Sequence, residues 1–421
     1  MIDLHDRAFL TRLFRTAVSA ADPKAAMMSA LPPKPVGRTV VIGAGKGTAQ
    51  MAAAFEELWS GPVEGVVVTR YGYSAPTRHI RVMEASHPVP DAAGLAATDA
   101  LFAAVKGLSE DDLVVALISG GGSALLPAPR GGLELEDEQA LNEALLASGA
   151  PISAMNAIRK QISRIKGGRL ASAAFPARVV SFIVSDVPGD DPAQVASGPT
   201  VPDAVGRGEA IALADAYRIE LPTSVRGYLE SGAGEAPLPD DPVFARNEVQ
   251  VIASAGISLE AAAKAAEAEE VAAVILSDAI EGEARDIGQM HAAIAREVRM
   301  RNRPFEAPVV ILSGGETTVT IGGTGGKGGR NTEFLLACAA GIEGLAVTAL
   351  AADTDGTDGS EDNAGAFANG TTWARLRAAG CDPAEMLAGH DAWTAFDALG
   401  DLFVPGPTGT NVNDFRALLI R

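Results

Sequence analysis

A short apolar run that ends in glycine or aspartate and leads into a helical stretch recurs along the chain. Because buried parallel strands are apolar throughout and are joined by crossover helices, this repetition predicts an α/β protein. The predicted strands are TVVIGAG from Thr39, VVVTR from Val66, LVVALISGGG from Leu113, VVSFIVSD from Val179, VQVIAS from Val249, VAAVILSD from Val271, VVILSGG from Val309 and AVTALAAD from Ala346. Alanine-rich stretches between them, such as TAQMAAAFEELW, LEAAAKAAEAEE and NTEFLLACAAG, are the predicted helices.

The chain length of 421 residues predicts two domains, since one domain holds about 100–200 residues. The stretch GAGEAPLPDDP, from Gly232 to Pro242, is rich in Gly, Pro and acidic residues and lacks periodicity, so we place a linker there. The expected domains are residues 1–236, larger and Rossmann-like, and residues 243–421. Each is expected to hold a mostly parallel sheet with flanking helices.

Charge and cysteine usage exclude several classes of protein. Thirty-four Lys and Arg against 53 Asp and Glu give a net charge of −19, which disfavours nucleic acid and anionic membranes as partners. Two cysteines form no disulfide framework and suggest a reducing compartment. Since no apolar run approaches the roughly 20 residues of a membrane span, we expect a cytoplasmic protein.

The first predicted strand ends in the glycine turn GAGKGT, which contains Gly43, Gly45 and Lys46. A dinucleotide fingerprint fails because Thr48 stands where the third glycine is needed, and a phosphate-binding P-loop fails because Val40 stands at its first glycine. What remains is a glycine turn at a helix start with one lysine. Free N–H groups and the helix dipole favour an anion at such a turn.

A basic run stands out in this acidic chain. From Gly149 to Ser185 there is no Asp or Glu. The run carries six cations: Arg159, Lys160, Arg164, Lys166, Arg169 and Arg178. On a helix from about Met155, positions 159 and 166 would share one face and 160 and 164 an adjacent one. A phosphate or carboxylate ligand explains the run, and so does a basic helix packed against acidic groups of the same chain.

Acidic and glycine-rich turns complete the set of motifs. SDVPGDDP contains Asp186, Asp190 and Asp191, and ADTDGTDGSED contains Asp353 and Asp355. Carboxylates of this kind suit Mg²⁺, which takes one or two of them together with substrate phosphates. The loop GGTGGKGGRNTEF, from Gly322, places Lys327 and Arg330 before a predicted helix and is able to wrap phosphates.

Nine sequence blocks together resemble the bacterial and archaeal glycerate 2-kinase family, whose carboxy-terminal half is called MOFRL. The blocks are GAGKGTAQM, EASHPVPD, LISGGGSALLPAP, NAIRKQISRIKGGRLA, SDVPGDDPAQVASGPTVPD, LSGGETTVTI, GGKGGRNTEF, AADTDGTDGSEDNAGA and TGTNVNDF. The resemblance implies a two-domain α/β enzyme with its active site in the interdomain cleft. It also implies transfer of the γ-phosphoryl group of ATP to the 2-hydroxyl of D-glycerate with Mg²⁺.

The resemblance implies that Lys46, Asp186 and Arg330 are catalytic groups. Asp186 would hold Mg²⁺ together with Asp190, or would accept the proton of the 2-hydroxyl. Arg159 and Lys160 would meet the glycerate carboxylate or the ATP phosphates. The other candidate binding residues are Gly43, Gly45, Ser119, Gly120, Gly121, Gly122, Ser123, Glu316, Lys327, Asn331, Asp353, Asp355 and Asn411.

Two other functions stay open at this point. Members of the family often carry the name hydroxypyruvate reductase, so an NADP-dependent reductase is the alternative enzyme, and Arg70 would suit a 2′-phosphate. A non-catalytic sensor of small anions would use the same groups. The sequence leaves a homodimer open.

Overall fold

The computed structural model describes residues 2–232, 235–323 and 325–421. The chain forms two compact units. The first unit is Pro23–Ile252, and the second combines residues 2–22 with Ala253–Arg421. Helix α1 (Leu4–Ala20) opens the chain and belongs to the second unit.

The first unit contains one six-stranded sheet and the helices around it. Its strands are β1 (Thr39–Ala44), β2 (Glu64–Arg70), β3 (Ile80–Ala85), β4 (Leu113–Ser119), β5 (Arg178–Val184) and β6 (Glu248–Ala253). Its helices are α2 (Pro23–Ala30), α3 (Thr48–Leu58), α4 (Ala92–Val105), α5 (Gly122–Leu125), α6 (Leu135–Ala147), α7 (Ile152–Gln161), α8 (Arg169–Ala174), α9 (Arg207–Ala216) and α10 (Thr223–Glu230). Short 3₁₀ turns lie at Pro188–Asp190, Val195–Ser197 and Pro242–Phe244.

The strand order of the first sheet is β3-β2-β1-β4-β5-β6, and β1 to β5 pair in parallel. This is the Rossmann order, in which the direction of winding reverses between β1 and β4. Apolar side chains of β1, β2, β4 and β5 pack with α4 and α8 in one core, which includes Ile42, Leu101, Ile118 and Leu170. Ligands of such sheets bind where the winding reverses, so the carboxyl ends of β1 and β4 mark the expected site.

The second unit contains a second six-stranded sheet and a separate strand pair. Its strands are β7 (Ala272–Ile275), β8 (Gly282–Glu283), β9 (Val309–Gly315), β10 (Thr317–Thr318), β11 (Val347–Asp353), β12 (Gly365–Asn369), β13 (Leu402–Phe403) and β14 (Asp414–Ile420). Its helices besides α1 are α11 (Ala255–Ala268), α12 (Ala284–Arg301), α13 (Arg330–Gly341), α14 (Thr372–Ala378), α15 (Pro383–Ala388) and α16 (Ala392–Leu399).

The second sheet has the order β13-β12-β11-β14-β9-β7 and is mixed. Strand β14 runs antiparallel to both β11 and β9, and in this sheet β7 and β9 pair in parallel. The α/β class is therefore confirmed, whereas the prediction of a mostly parallel second sheet was wrong. Strands that are buried on both faces are apolar throughout in either direction, so their sequences do not show which way they run.

The units divide elsewhere than at the predicted linker. Residues 2–22 join the second unit because Phe14 of α1 packs edge-on against Phe403 and Phe415, at 5.0 and 5.8 Å between ring centroids. Residues 235–252 stay in the first unit, where Arg246 donates to the carbonyl oxygens of Pro176 and Glu110. Ala233 and Gly234 of the predicted linker lie outside the described residues.

All eight predicted strands and the three predicted helices are present, whereas β3, β12, β14 and the two-residue strands β8, β10 and β13 were not predicted. The proposed long basic helix was wrong, because α7 ends at Gln161. The Ser163 hydroxyl then accepts hydrogen bonds from the N–H groups of Ile165 and Lys166, which forms a turn in place of further helix. Arg159 and Lys166 therefore do not share a helix face. No helix within the described ranges is long and apolar enough to span a bilayer.

Buried His291 of α12 makes the second unit sensitive to acid. Its Nδ1 lies 2.9 Å from the carbonyl oxygen of Ile287, which only accepts, so Nδ1 carries the hydrogen and Nε2 accepts from the Ser313 hydroxyl at 2.8 Å. Burial, reinforced by the charge of Arg416, lowers the pKa of His291 to about 4. The neutral ring is therefore the form that the fold holds.

We expect the free energy of unfolding to fall as pH drops from about 6.5 towards 4, because the unfolded histidine binds a proton more readily than the folded one. His291 alone should account for roughly 2 kcal/mol between pH 7 and pH 5. Urea denaturation of the wild type and His291→Gln at both pH values measures this. Equal pH dependence of the two proteins would contradict it.

Candidate active site

Two glycine turns meet where the winding of the first sheet reverses. The Lys46 N–H donates to the carbonyl oxygen of Gly120 at 2.8 Å, and the Gly47 N–H donates to the Ser119 hydroxyl at 3.0 Å. A Cβ atom on Gly45 would overlap both the hydroxyl and the carbonyl oxygen of Ser119. Glycine at position 45 is therefore what allows the turns after β1 and β4 to touch.

Three polar side chains surround the turn after β4. A Cβ atom on Gly120 would overlap a carboxylate oxygen of Asp186. One on Gly121 would lie 2.9 Å from Lys46 Cε and 3.0 Å from His87 Nε2. The structure thus brings the predicted residues Lys46 and Asp186 to the same turn. It adds His87, which lies in the sequence block EASHPVPD.

Lys46 and Arg70 bring positive charge to the edge formed by these turns. Lys46 is partly buried, and none of the carboxylates that the structure describes forms an ion pair with it. Burial, with the charges of Lys46 and Arg70, lowers the pKa of His87 to about 4, so this ring is neutral at pH 7. The Arg70 guanidinium lies 3.4 Å from the centroid of the Tyr73 ring. Such an edge suits an anionic ligand.

Most cations of the basic run are paired inside the first unit. Buried Lys160 pairs with Asp203, and buried Lys166 lies 2.8 Å from Glu138. Two exposed pairs, Arg164 with Asp99 and Arg178 with Glu248, follow the same pattern at 3.3 and 2.6 Å. Pairing with carboxylates of the same unit therefore explains most of the basic run. Lys160, for which we predicted a contact with a ligand, instead contacts Asp203. Arg159 instead contacts amide oxygens, at 2.8 Å from Asn142 and 3.1 Å from Asn156.

Of the two predicted Mg²⁺ ligands, Asp186 and Asp190, the structure places only Asp186 against the turn after β4. Asp186 lines the turn after β4, whereas Asp190 lies at the end of a 3₁₀ turn with a φ of 54°. Across the described ranges, no group of three or more His, Cys, Asp and Glu side chains is arranged to hold a metal ion. One carboxylate beside a glycine turn still fits Mg²⁺ that arrives with nucleotide phosphates, because that ion needs few protein ligands.

A second cluster of predicted residues lies at the start of α13. The Arg330 guanidinium contacts Asp414 at 2.7 Å, Glu316 at 2.9 Å and Asp353 at 2.6 Å. The Asn331 amide also donates to Asp414, at 2.8 Å. Burial alone would lower the pKa of Arg330, but the three carboxylates outweigh it and raise this pKa further. Asp414 was missed from the sequence, because it lies in the unpredicted strand β14.

The carboxylates of this cluster outnumber its cations. Burial raises the pKa of Asp353, as do the charges of Asp355 and Asp414. Burial also raises the pKa of Asp358 to about 6, although this carboxylate accepts hydrogen bonds from the first turn of α13. The Asn411 amide lies 3.5 Å from Asp355, so these two predicted residues are neighbours as well.

Lys327 lies beside this cluster on the glycine-rich loop, of which Thr324 lies outside the described residues. Its N–H donates to Asp391 at 3.0 Å, and its amine lies 4.7 Å from the Trp393 ring and 3.5 Å from Glu361. The amine is more than half exposed. The loop is therefore fixed through its backbone while it presents a cation at the surface.

Comparison with known proteins agrees with these motifs. Residues 9–230 match a domain of unknown function, DUF4147, and residues 309–414 match the MOFRL family. A protein of Pyrococcus horikoshii named glycerate 2-kinase is 40% identical, over 100% of this chain and 98% of its own. An Agrobacterium vitis protein named putative hydroxypyruvate reductase is 52% identical, over 99% of this chain and 95% of its own.

Solved structures show the same architecture at full length. The crystal structure of glycerate kinase from Thermotoga maritima matches with a TM-score of 0.89 at 36% identity, and the match covers 100% of both chains. The fold and the full-length relatives define an α/β enzyme of the glycerate kinase class. More particularly, the chain belongs to the glycerate 2-kinase family, and its residues 309–414 form the MOFRL region.

Because one pair of the basic run is buried and another is exposed, we expect two substitutions to lower the free energy of unfolding by very different amounts. Lys166→Met leaves buried Glu138 without its counter-ion and should cost about 3–5 kcal/mol. Arg164→Met removes an exposed pair and should cost at most about 1 kcal/mol. Denaturant titration compares the two variants. Equal and small losses would show that the buried pair does not hold α6 in place.

Proposed function

We propose that this protein is an ATP-dependent kinase that transfers the γ-phosphoryl group to the 2-hydroxyl of D-glycerate, giving 2-phosphoglycerate and ADP. The observation that carries the proposal is the pair of touching glycine turns, where Lys46 has no counter-ion among the described residues and Asp186 lies across Gly120. The full-length relatives named glycerate 2-kinase support the choice of substrate.

Phosphoryl transfer needs positioning and charge neutralisation more than covalent catalysis. Lys46 would bind the transferring group together with free N–H groups of the turns. Arg330 would act as the second cation. Three of its five N–H donors bind carboxylates, which fixes the guanidinium plane and leaves two donors for a phosphate oxygen.

Asp186 has two candidate roles in this proposal. It would accept the proton of the 2-hydroxyl, or it would bind Mg²⁺ together with Asp190 and the nucleotide phosphates. Magnesium, when bound, supplies further neutralisation of the phosphate charge. His87 is neutral at the pH of the reaction and would orient a substrate oxygen by a hydrogen bond without adding charge.

The test is a direct comparison of two reactions. With D-glycerate, ATP and Mg²⁺ we expect ADP release, and phosphorus NMR should show 2-phosphoglycerate as the first product. With hydroxypyruvate and NADH or NADPH we expect no enzyme-like oxidation of the cofactor. Oxidation at such a rate without ADP release would establish the reductase, and 3-phosphoglycerate as the sole first product would contradict the regiochemistry.

Asp186→Asn tests the residue at the centre of the proposal. The substitution keeps the volume and removes the charge, so the variant should fold and lose turnover by about 10²–10⁴-fold. Asp190→Asn separates the two roles. It should raise the Mg²⁺ concentration that gives half-maximal rate if the two residues share the ion, and it should leave that concentration unchanged if Asp186 acts as the base. Near-wild-type turnover of folded Asp186→Asn would remove Asp186 from the chemistry.

A further inference from the structure

Arg159 differs from the paired cations around it. Lys160, Lys166, Arg164 and Arg178 each have a carboxylate partner. Among the described residues, no carboxylate lies within ion-pair distance of Arg159, although this side chain is partly buried. Burying a cation without a counter-ion is costly. Burial lowers the pKa of Arg159 to about 10, and the charge of Glu138, beyond ion-pair distance, does not offset it. A closer anionic partner is therefore expected to come from outside the chain.

Two neutral amides fix the orientation of the Arg159 guanidinium. Its Nε donates to the Asn142 amide oxygen at 2.8 Å, and its Nη1 donates to the Asn156 amide oxygen at 3.1 Å. Amide oxygens hold the guanidinium without neutralising it. Three of its five N–H donors remain, which is enough for a bidentate contact with a carboxylate.

A chain of hydrogen bonds leads from Arg159 to the glycine turn after β4. The Asn156 oxygen that accepts from Arg159 also accepts from the Ser197 hydroxyl at 2.9 Å. Ser197 in turn lies 2.9 Å from the hydroxyl of Ser123, which follows the glycines of that turn. Buried Ser197 has a φ of 59°, a conformation that costs about 1–3 kcal/mol outside glycine. The strained residue is thus the one whose hydroxyl connects Asn156 to Ser123.

The Asn142 amide connects Arg159, through helix α6, to the segment that follows β3. Asn142 belongs to α6, and Gln139 of that helix donates to the carbonyl oxygen of Pro90 at 2.7 Å. Pro90 lies in the segment after β3 that carries His87, which contacts the turn at Gly121. Arg159 is thus connected through Asn156 to the turn after β4, and through Asn142 and α6 to the segment that carries His87.

We propose that Arg159 recognises the carboxylate of the 2-hydroxy acid substrate, with Asn142 and Asn156 as positioning residues. The inference rests on the proposed kinase function and selects one of two ligands that the sequence left open for this arginine. In D-glycerate the carboxylate is bonded to the carbon that carries the 2-hydroxyl. A bidentate contact to that carboxylate therefore fixes the 2-hydroxyl, rather than the 3-hydroxyl, in a single position.

The first test compares D-glycerate with glyceramide, its neutral amide, in the wild type and in Arg159→Gln. The wild type should prefer glycerate, and the variant should lose about 100-fold or more in kcat/KM for glycerate. Its kcat/KM for glyceramide and its KM for ATP should change less than about threefold. Arg164→Gln, at an exposed pair of the same run, is the matched control and should behave as wild type.

A second variant guards against a structural explanation. Asn142→Asp has the same shape and places a carboxylate against the Arg159 Nε, so it should raise the KM for glycerate at least tenfold in a protein that unfolds no more easily. An Arg159 that only supports the fold would leave this KM unchanged. Equal losses for glycerate and glyceramide in Arg159→Gln, or a matching rise in the KM for ATP, would overturn the proposal.

Binding without ATP separates this inference from the proposed function. Calorimetric titration of the wild type with D-glycerate alone should show binding that Arg159→Gln abolishes. If ADP release fails while this Arg159-dependent binding persists, the kinase proposal is wrong and the carboxylate site stands. If the kinase reaction occurs and glycerate binds Arg159→Gln as tightly as wild type, the carboxylate site is wrong.

Discussion

Backbone contact between the turns after β1 and β4 is the constraint on which the first unit's site depends. A Cβ atom on Gly43 would overlap the carbonyl oxygen of Leu117, and one on Gly45 would overlap Ser119. Glycine at both positions lets the Lys46 N–H bond to Gly120. This bond joins the turn that carries Lys46 to the turn after β4, where Gly121 lies beside the Lys46 side chain and Gly120 beside Asp186. The pairing of the parallel strands β1 and β4 thus sets the position of Lys46 relative to the turn that Asp186 also contacts.

The distribution of charge follows a simple division in this acidic chain. Buried cations that support the fold, such as Lys160 and Lys166, have carboxylate partners. Lys46 at the glycine-turn edge, and Arg159, which hydrogen bonds connect to Ser123 through Asn156 and Ser197, have no ion-pair partner among the residues that the structure describes. In the second unit the reverse holds, because Arg330 is surrounded by more carboxylates than it neutralises. A net charge of −19 therefore coexists with local sites for anions.

Local patterns predicted five of the six strands of the first sheet, because those five contain apolar runs, and they missed β3, whose sequence IRVMEA includes charged residues. They failed where partners are distant in sequence. Strand β14 has the buried residues Asp414 and Arg416, which pair with each other, and Asp414 also binds Arg330. A charged strand of this kind looks exposed until its partners are known. The prediction that positions 159 and 166 share a helix face was wrong, because the Ser163 hydroxyl accepts hydrogen bonds from the N–H groups of Ile165 and Lys166 and forms a turn there.

The central proposal is that Lys46 of the first unit and Arg330 of the second both serve the phosphoryl transfer. Turnover of Lys46→Ala, Arg330→Gln and the double variant tests it most directly, with thermal unfolding to show that each protein folds. We predict severe losses in kcat for both single variants and a double loss well short of their product, as for residues that act as a unit. Fully multiplicative losses, or near-wild-type turnover of either folded single variant, would contradict the account.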